Sequence, residues 1–137
     1  MEKITVDTSI NASLEEVWRR FTSPTDVEQW NAASDDWHTT KAENNLTVGG
    51  KFSYRMEAKD GSFGFDFWGI YDTVIEYKQL DYTLGDGRKV SVGFEFLGIG
   101  TKLTETFETE DENPVEMQQF GWQAILDNFK KYVENKQ

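Results

Sequence analysis

Two places in this sequence gather side chains that could move a proton. The first is the segment Ser34-Asp35-Asp36-Trp37-His38-Thr39-Thr40-Lys41-Ala42-Glu43, which holds the sole histidine next to two carboxylates and near two indoles, Trp30 and Trp37. A histidine oriented by a carboxylate can act as a general base near neutral pH. The plainer account has Asp35 or Asp36 capping a turn through local hydrogen bonds, with His38 in solvent. As a metal site the segment is poor. One imidazole and adjacent Asp residues lack ligand spacing, and neighbouring carboxylates on a strand diverge. The second place is Glu105, which shares strand parity with Leu103 and Phe107 and so points toward an apolar face. A buried carboxyl without a partner drifts toward its neutral form. Glu105 is therefore a candidate polar anchor in an apolar pocket, or an acid with a shifted pKa. A strand-end Glu reaching solvent, or a bulge that reverses parity, would explain it equally well. His38, Lys41, Arg55 and Tyr54 are conceivable partners.

Other chemistry is thin. The run Glu108, Glu110, Asp111, Glu112 and Glu116 reads as a solvated acidic turn entering a helix, where the dipole favours carboxylates. Met117-Gln118-Gln119 then reads as polar helix surface apart from Met117. There is no Ser-His-Asp spacing and no Walker-type lysine, and Gly49-Gly50 is better explained as a turn than as a phosphate cradle. With no cysteine, thiolate zinc sites, cysteine nucleophiles and disulfides are excluded. No cofactor is implied.

The elements that must position these residues follow from period. Residues 3–10 alternate Ile4, Val6, Thr8 and Ile10 against polar neighbours, as a half-buried strand does. Ser13 and Glu16 then form a capping box ahead of Leu14, Val17, Trp18 and Phe21, which predicts a short amphipathic helix. Ser23-Pro24 starts a second one carrying Val27 and Trp30. From about 37 to 110 the chain reads as strands, with turns at Gly49-Gly50, Asp60-Gly61, Asp86-Gly87 and Gly98-Ile99-Gly100. Four stripes result: Phe52, Tyr54 and Met56; Phe63, Phe65, Phe67 and Tyr71; Val90, Val92, Phe94 and Phe96; Leu103, Glu105 and Phe107. Trp68 and Ile70 have the opposite parity, so that strand either buries part of its other face or carries a bulge near Asp72. Asn113 as N-cap, Pro114 as first position and Glu116 as capping partner begin a long last helix. Its apolar side carries Val115, Trp122, Ile125, Leu126, Phe129 and Val133, and only the sheet offers enough apolar surface to cover it. The expected fold is α+β: a curved antiparallel sheet around a long C-terminal helix, with two short helices after the first strand.

Composition agrees with one domain over residues 1–137, since the length leaves little room for two. Aromatics make up 15% of the chain, with 5 Trp, 5 Tyr and 10 Phe, and such large flat side chains pack with constraints that can leave shaped gaps. The formal net charge is −11, which argues against nucleic acid and against an anionic membrane surface as partners. The N-terminal residues lack the apolar core of a signal peptide, and no stretch approaches the ~20 apolar residues of a membrane span. The expected compartment is the cytoplasm, and the sequons at Asn11 and Asn45 are then chance matches.

The order of elements and several local runs resemble a known family. The runs are Val17-Trp18, Pro24 and Trp30, Val48-Gly49-Gly50-Lys51-Phe52-Ser53-Tyr54-Arg55-Met56, Phe67 with Gly69 and Tyr71, Gly100-Thr101-Lys102-Leu103-Thr104, and Gly121-Trp122. Together they resemble the helix-grip fold of the START-like superfamily and, more narrowly, the Hsp90 ATPase activator homologue family in its small single-domain bacterial form. That resemblance implies a cavity between sheet and long helix. It implies three kinds of function: binding of a small hydrophobic or aromatic molecule, a chaperone-linked interaction with Hsp90, or a cyclase- or hydrolase-like enzyme acting on a bound aromatic or polyketide. Fold alone does not choose among them. The first is the leading expectation. Its candidate contacts are Trp30, Trp37, His38, Tyr54, Met56, Phe65, Phe67, Phe94, Glu105, Phe107, Trp122, Ile125 and Phe129.

Overall fold

A computed structural model describes residues 2–136; Met1 and Gln137, the ends of the expected domain, lie outside the described residues. The chain runs β1 (Lys3–Ile10), α1 (Leu14–Thr22), α2 (Pro24–Trp30), β2 (Trp37–Asn44), β3 (Lys51–Ala58), β4 (Gly64–Ile75), β5 (Gln79–Leu84), β6 (Lys89–Phe96), β7 (Thr101–Glu108) and α3 (Val115–Asn135). The strands form one antiparallel sheet of order β1-β7-β6-β5-β4-β3-β2. Only the pairing of β1 with β7 is long-range, so the sheet is a meander closed by its first strand. It curls around α3 as the helix-grip arrangement requires.

Local chemistry explains most boundaries. Ser13 accepts from the Glu16 backbone N–H at 3.1 Å, which caps α1. The capping box is only half formed, because the Glu16 carboxylate is bound by Arg19 and Arg20 instead. Gly61, Gly87 and Gly98 turn the hairpins with positive φ, as expected. Gly50 is needed for a different reason: a Cβ there would lie 2.2 Å from the Asn45 carbonyl oxygen. The register shift between Tyr71 and Thr73 is the bulge expected near Asp72. It shifts the alternation so that Tyr71 and Val74 both face the core, while Trp68, ahead of it, faces outward, where the Lys51 ammonium lies 4.5 Å from its ring.

Two expectations at the start of α3 are corrected. Pro114, not Asn113, occupies the cap position, and Asn113 instead donates its amide to Glu110 at 2.8 Å. The Glu110 carboxylate also accepts the N–H groups of Glu112 and Asn113, so it organises the turn that a side-chain cap would otherwise have made. Gln118 is not helix surface but buried. Its amide nitrogen donates to the carbonyls of Glu110 and Asn113, and its oxygen accepts the Glu110 N–H. Met117, assigned the apolar role there, is exposed.

An aromatic cluster joins α1, α2 and the second half of α3 to β6. Phe21 and Trp30 stack at 5.2 Å and both meet the edge of Phe129, at 5.4 and 4.8 Å. Phe94 fits between Trp18 and Phe21. Asp26 in α2 ties the three helices together: Arg20 of α1 pairs with it at 2.9 Å, and the Tyr132 hydroxyl of α3 donates to it.

Both outer edges of the sheet are occupied by helix side chains. Along β1, Gln123 and Lys130 of α3 donate to the carbonyls of Asp7 and Ser9. Along β2, Glu28 of α2 accepts the Ala42 N–H at 3.0 Å.

Candidate functional site

The first half of α3 does not close down on the sheet. A cavity of about 420 Å³ separates them, walled by Phe52, Tyr54, Phe67, Tyr71, Leu80 and Tyr82 of β3 to β5 and roofed by Met117, Gln118, Gly121, Trp122 and Ile125 of α3. This size is within the range of small-molecule sites. Gly121 is part of the reason for the space, because a Cβ on it would meet nothing within 4 Å. Exposed Phe65 and Met117 flank the cavity on the sheet and helix sides.

Of the residues expected to form a site, Trp30, Tyr54, Met56, Phe65, Phe67, Glu105, Trp122 and Ile125 line this cavity. Five do not. Phe107 lies behind the wall, stacked on Trp122 at 4.1 Å with the rings 8° from parallel. Phe94 and Phe129 belong to the packed cluster under α1 and α2. Trp37 is at the end of β2, where it meets Phe63 and Phe65 as a rim of three rings. His38 is the clearest correction. It pairs with Glu57, whose parity is that of Ser53 and Arg55 on the outer face, so its ring is turned away from the cavity. Strand parity and helical phase identify a face but not the depth along it, which is why the other four, with Phe129 on α3 among them, do not line the cavity.

Glu105 points inward, as its parity indicated. It is 6% exposed, and its cross-strand neighbours on either side are Val6 and Val92, with Leu80 next in the row. None of the proposed partners reaches it. Arg55 pairs with Glu57 and Asp66, and Lys41 with Glu43, on the outer face. Among the described residues no group hydrogen-bonds or ion-pairs with the Glu105 carboxyl, and its oxygens are not sealed off but border the cavity. Burial without a partner raises its pKa to about 8, so the carboxyl is mostly neutral at pH 7.

Most of the remaining polar groups of the cavity are already committed. The Tyr71 hydroxyl donates to Asn44 at 2.7 Å, and Asn44 in turn donates to the Thr22 carbonyl at 2.7 Å. Burial, with Tyr71 beside it, raises the Tyr54 hydroxyl well above its usual range, so both phenols stay protonated. Asn31 and Thr39 bond each other, Gln118 is held by the turn before α3, and Arg88 is bound by Asp86 and by the Glu108 carbonyl. Tyr82 differs. Its hydroxyl has no hydrogen-bond partner among the described residues, and burial first, then the nearby Glu105 charge, keep it neutral. Sequence reasoning missed Tyr82 and Leu80 because β5 is announced by no glycine. The turn before it places Tyr77 at φ 65° where Gly or Asn is usual.

Comparison with known proteins agrees with this architecture. Residues 11–134 match the family model described as Activator of Hsp90 ATPase homolog 1-like protein. The solution structure of the AHSA1-like protein from Aeromonas hydrophila is 45% identical, with a TM-score of 0.93 over 98% of this chain and 94% of that one. A protein of Cytophaga hutchinsonii is 47% identical, with a TM-score of 0.85 over 98% of this chain and 93% of that one. A Chromobacterium violaceum protein at 23% identity shares the fold, with a TM-score of 0.87 over 98% of this chain and 99% of that one. No curated protein matches. Among the described residues no helix is long and apolar enough to cross a membrane. With most of its length under one family model and two solved relatives near half identity, the chain belongs to the Activator of Hsp90 ATPase homolog 1-like family.

Proposed function

We propose that this protein binds a small hydrophobic or aromatic molecule in the cavity between the sheet and the first half of α3. The observation that carries this reading is the cavity itself: about 420 Å³ walled by aromatic rings, with a single uncommitted carboxyl bordering it. Apolar walls supply affinity through burial, and a few polar groups fix orientation. Glu105 and Tyr82 take that second role, and Trp122 over Phe67 closes one side at 6.0 Å. Catalysis is not required by this arrangement, since His38 faces the other side of the sheet.

A thermal-shift and native mass-spectrometry screen against flavonoids, fatty acids and polyketides tests the reading. A ligand that binds only the folded chain raises the melting temperature in proportion to log concentration. Gly121→Phe, which fills open space from the helix side, should abolish the shift while leaving the unliganded protein folded. An equal shift in that variant would place binding elsewhere.

A second reading, a chaperone-linked interaction domain, is favoured by the family match and by the exposed apolar tip of the β6–β7 hairpin, where Phe96, Leu97 and Ile99 are 56%, 48% and 90% exposed. Pull-down with an Hsp90 homologue, followed by an ATPase assay, separates the two. Stimulation lost in Ile99→Asp but kept in Gly121→Phe would support it.

A further inference from the structure

Among the described residues, Glu105 and Tyr82 are the two buried polar side chains of the cavity without a hydrogen-bond partner. An unpaired carboxyl between Val6 and Val92 destabilises the fold when it ionises, because desolvation of a charge is not compensated by any neighbour. A ligand can supply what the protein lacks, and the surroundings indicate which charge it should carry. Among the described residues that line the cavity the sole cation is Arg88, and its guanidinium is already held by Asp86 at 2.8 Å. The wall is rich in aromatic rings, whose π faces attract a positive charge and repel a negative one. The chain as a whole carries a formal charge of −11, so its field concentrates cations near the cavity and excludes anions.

We infer that the ligand of this cavity is a lipophilic monocation, an amine on an apolar body, whose protonated nitrogen pairs with the Glu105 carboxylate and donates to the Tyr82 hydroxyl while its body lies against the aromatic wall. This rests on the cavity being a ligand site. A fatty acid or other anion would instead set two carboxylates against each other. Binding balances as one proton: the neutral Glu105 carboxyl gives its proton to the buffer, and the incoming ammonium replaces it as the counter-charge.

The pH dependence follows from the groups around Glu105. β1 and β6 face it with Val6 and Val92, β5 with Leu80 and Tyr82, and α3 with no titratable residue on the cavity. The tyrosines Tyr54, Tyr71 and Tyr82 are all raised above their usual pKa and stay neutral, and the Asn113 N–H groups hold Glu110 below its usual pKa, so it stays charged. Among these cavity groups Glu105 is therefore the one that titrates, with a pKa of about 8. Amine affinity should rise about tenfold per pH unit below that value and level off above it.

Naphthylmethylamine, naphthylmethanol and naphthoic acid are matched in shape and differ in charge, so isothermal titration of the three against the whole chain is the test. At about pH 8 the amine should bind on the order of tenfold tighter than the alcohol, with the acid weakest. Near pH 7 amine binding should release close to one proton, read from the dependence of the heat on buffer ionisation enthalpy. Glu105→Gln should lose the amine preference over the alcohol, the proton release and the pH slope. Binding of the alcohol or acid without an amine preference overturns this inference alone. The same holds for an amine preference that survives in Glu105→Gln. Absence of binding by all three overturns it together with the ligand-site reading. The wild-type pH slope and proton count stand even where the variant fails to fold.

Discussion

From Leu126 to Val133, α3 presses three fully buried side chains, Leu126, Phe129 and Val133, into the sheet and the Phe21–Trp30 pair, whereas from Met117 to Ile125 the same helix stands over about 420 Å³ of open space. The sheet runs unbroken beneath both halves, aromatic on β3 to β5 and largely aliphatic on β1 and β6, and the helix with what lies beside it adds to the difference. In the packed half, α1 and α2 add Trp18, Phe21 and Trp30 as a third layer. In the open half nothing is inserted, and the helix contributes Gly121 and the committed amide of Gln118 where a large apolar residue would fill the gap. One end of the helix is thus built for stability and the other for occupancy.

Substitutions can break that contrast, and the largest effect is expected in the packed half. Phe129→Ala should cost about 3–5 kcal/mol in urea denaturation, the usual range for a buried Phe. If it costs no more than Trp122→Ala, the two halves are not different in kind. Next comes Glu105→Gln. The folded pKa of Glu105 is raised to about 8 from an ordinary value of 4.5. Its neutral form therefore contributes stability that is fully present below pH 4.5 and lost as pH rises through about 8. Melting temperature of the unliganded wild type should fall over that window, and the Gln variant should flatten the fall, gaining about 2–3 kcal/mol at the alkaline end. Trp122→Ala removes a half-buried ring from a cavity wall that is already open, and should cost about 2 kcal/mol while weakening ligand binding more than it weakens the fold. The smallest effect is a gain. Gly121→Ala should stabilise by about 0.5–1 kcal/mol, since the helix improves and the new methyl meets no neighbour.

The fold was legible from the sequence wherever period and punctuation agreed. Alternation located β1, capping and i, i+3, i+4 spacing located α1, and the out-of-phase Trp68 and Ile70 located the bulge at Asp72. The inward carboxyl was legible too, because Glu105 keeps the parity of Leu103 and Phe107. What was not legible depends on long-range geometry. Tyr82 was missed with its strand, since a tyrosine at positive φ carries no turn signal. His38 was drawn in by proximity in sequence to Trp37 and two carboxylates, and only its cross-strand partner Glu57 shows which way it faces. Gln118 looked like surface because its three hydrogen bonds go to backbone brought back by the preceding turn. Stripe residues such as Phe94 and Phe129 were assigned the right face and the wrong depth.

The helix side chains on the outer edges of the sheet have a consequence for how the site is entered. Gln123 and Lys130 fasten α3 along β1, and Gln118 fastens its first turn to the segment that leaves β7. The helix is hinged shut along that whole side, so it cannot lift away as a lid without breaking bonds at three points. The side over β3 and β4 has Phe65 and Met117 exposed and is the natural doorway. Opening of that doorway depends on side-chain rotation rather than on movement of the backbone, and exposed rotamers flip on the ps–ns scale, so ligand affinity and not gating should set the exchange rate. The same fastening denies a free strand edge to neighbouring molecules near Asp7, Ser9 and Ala42, where an unpaired backbone would otherwise be a template for aggregation.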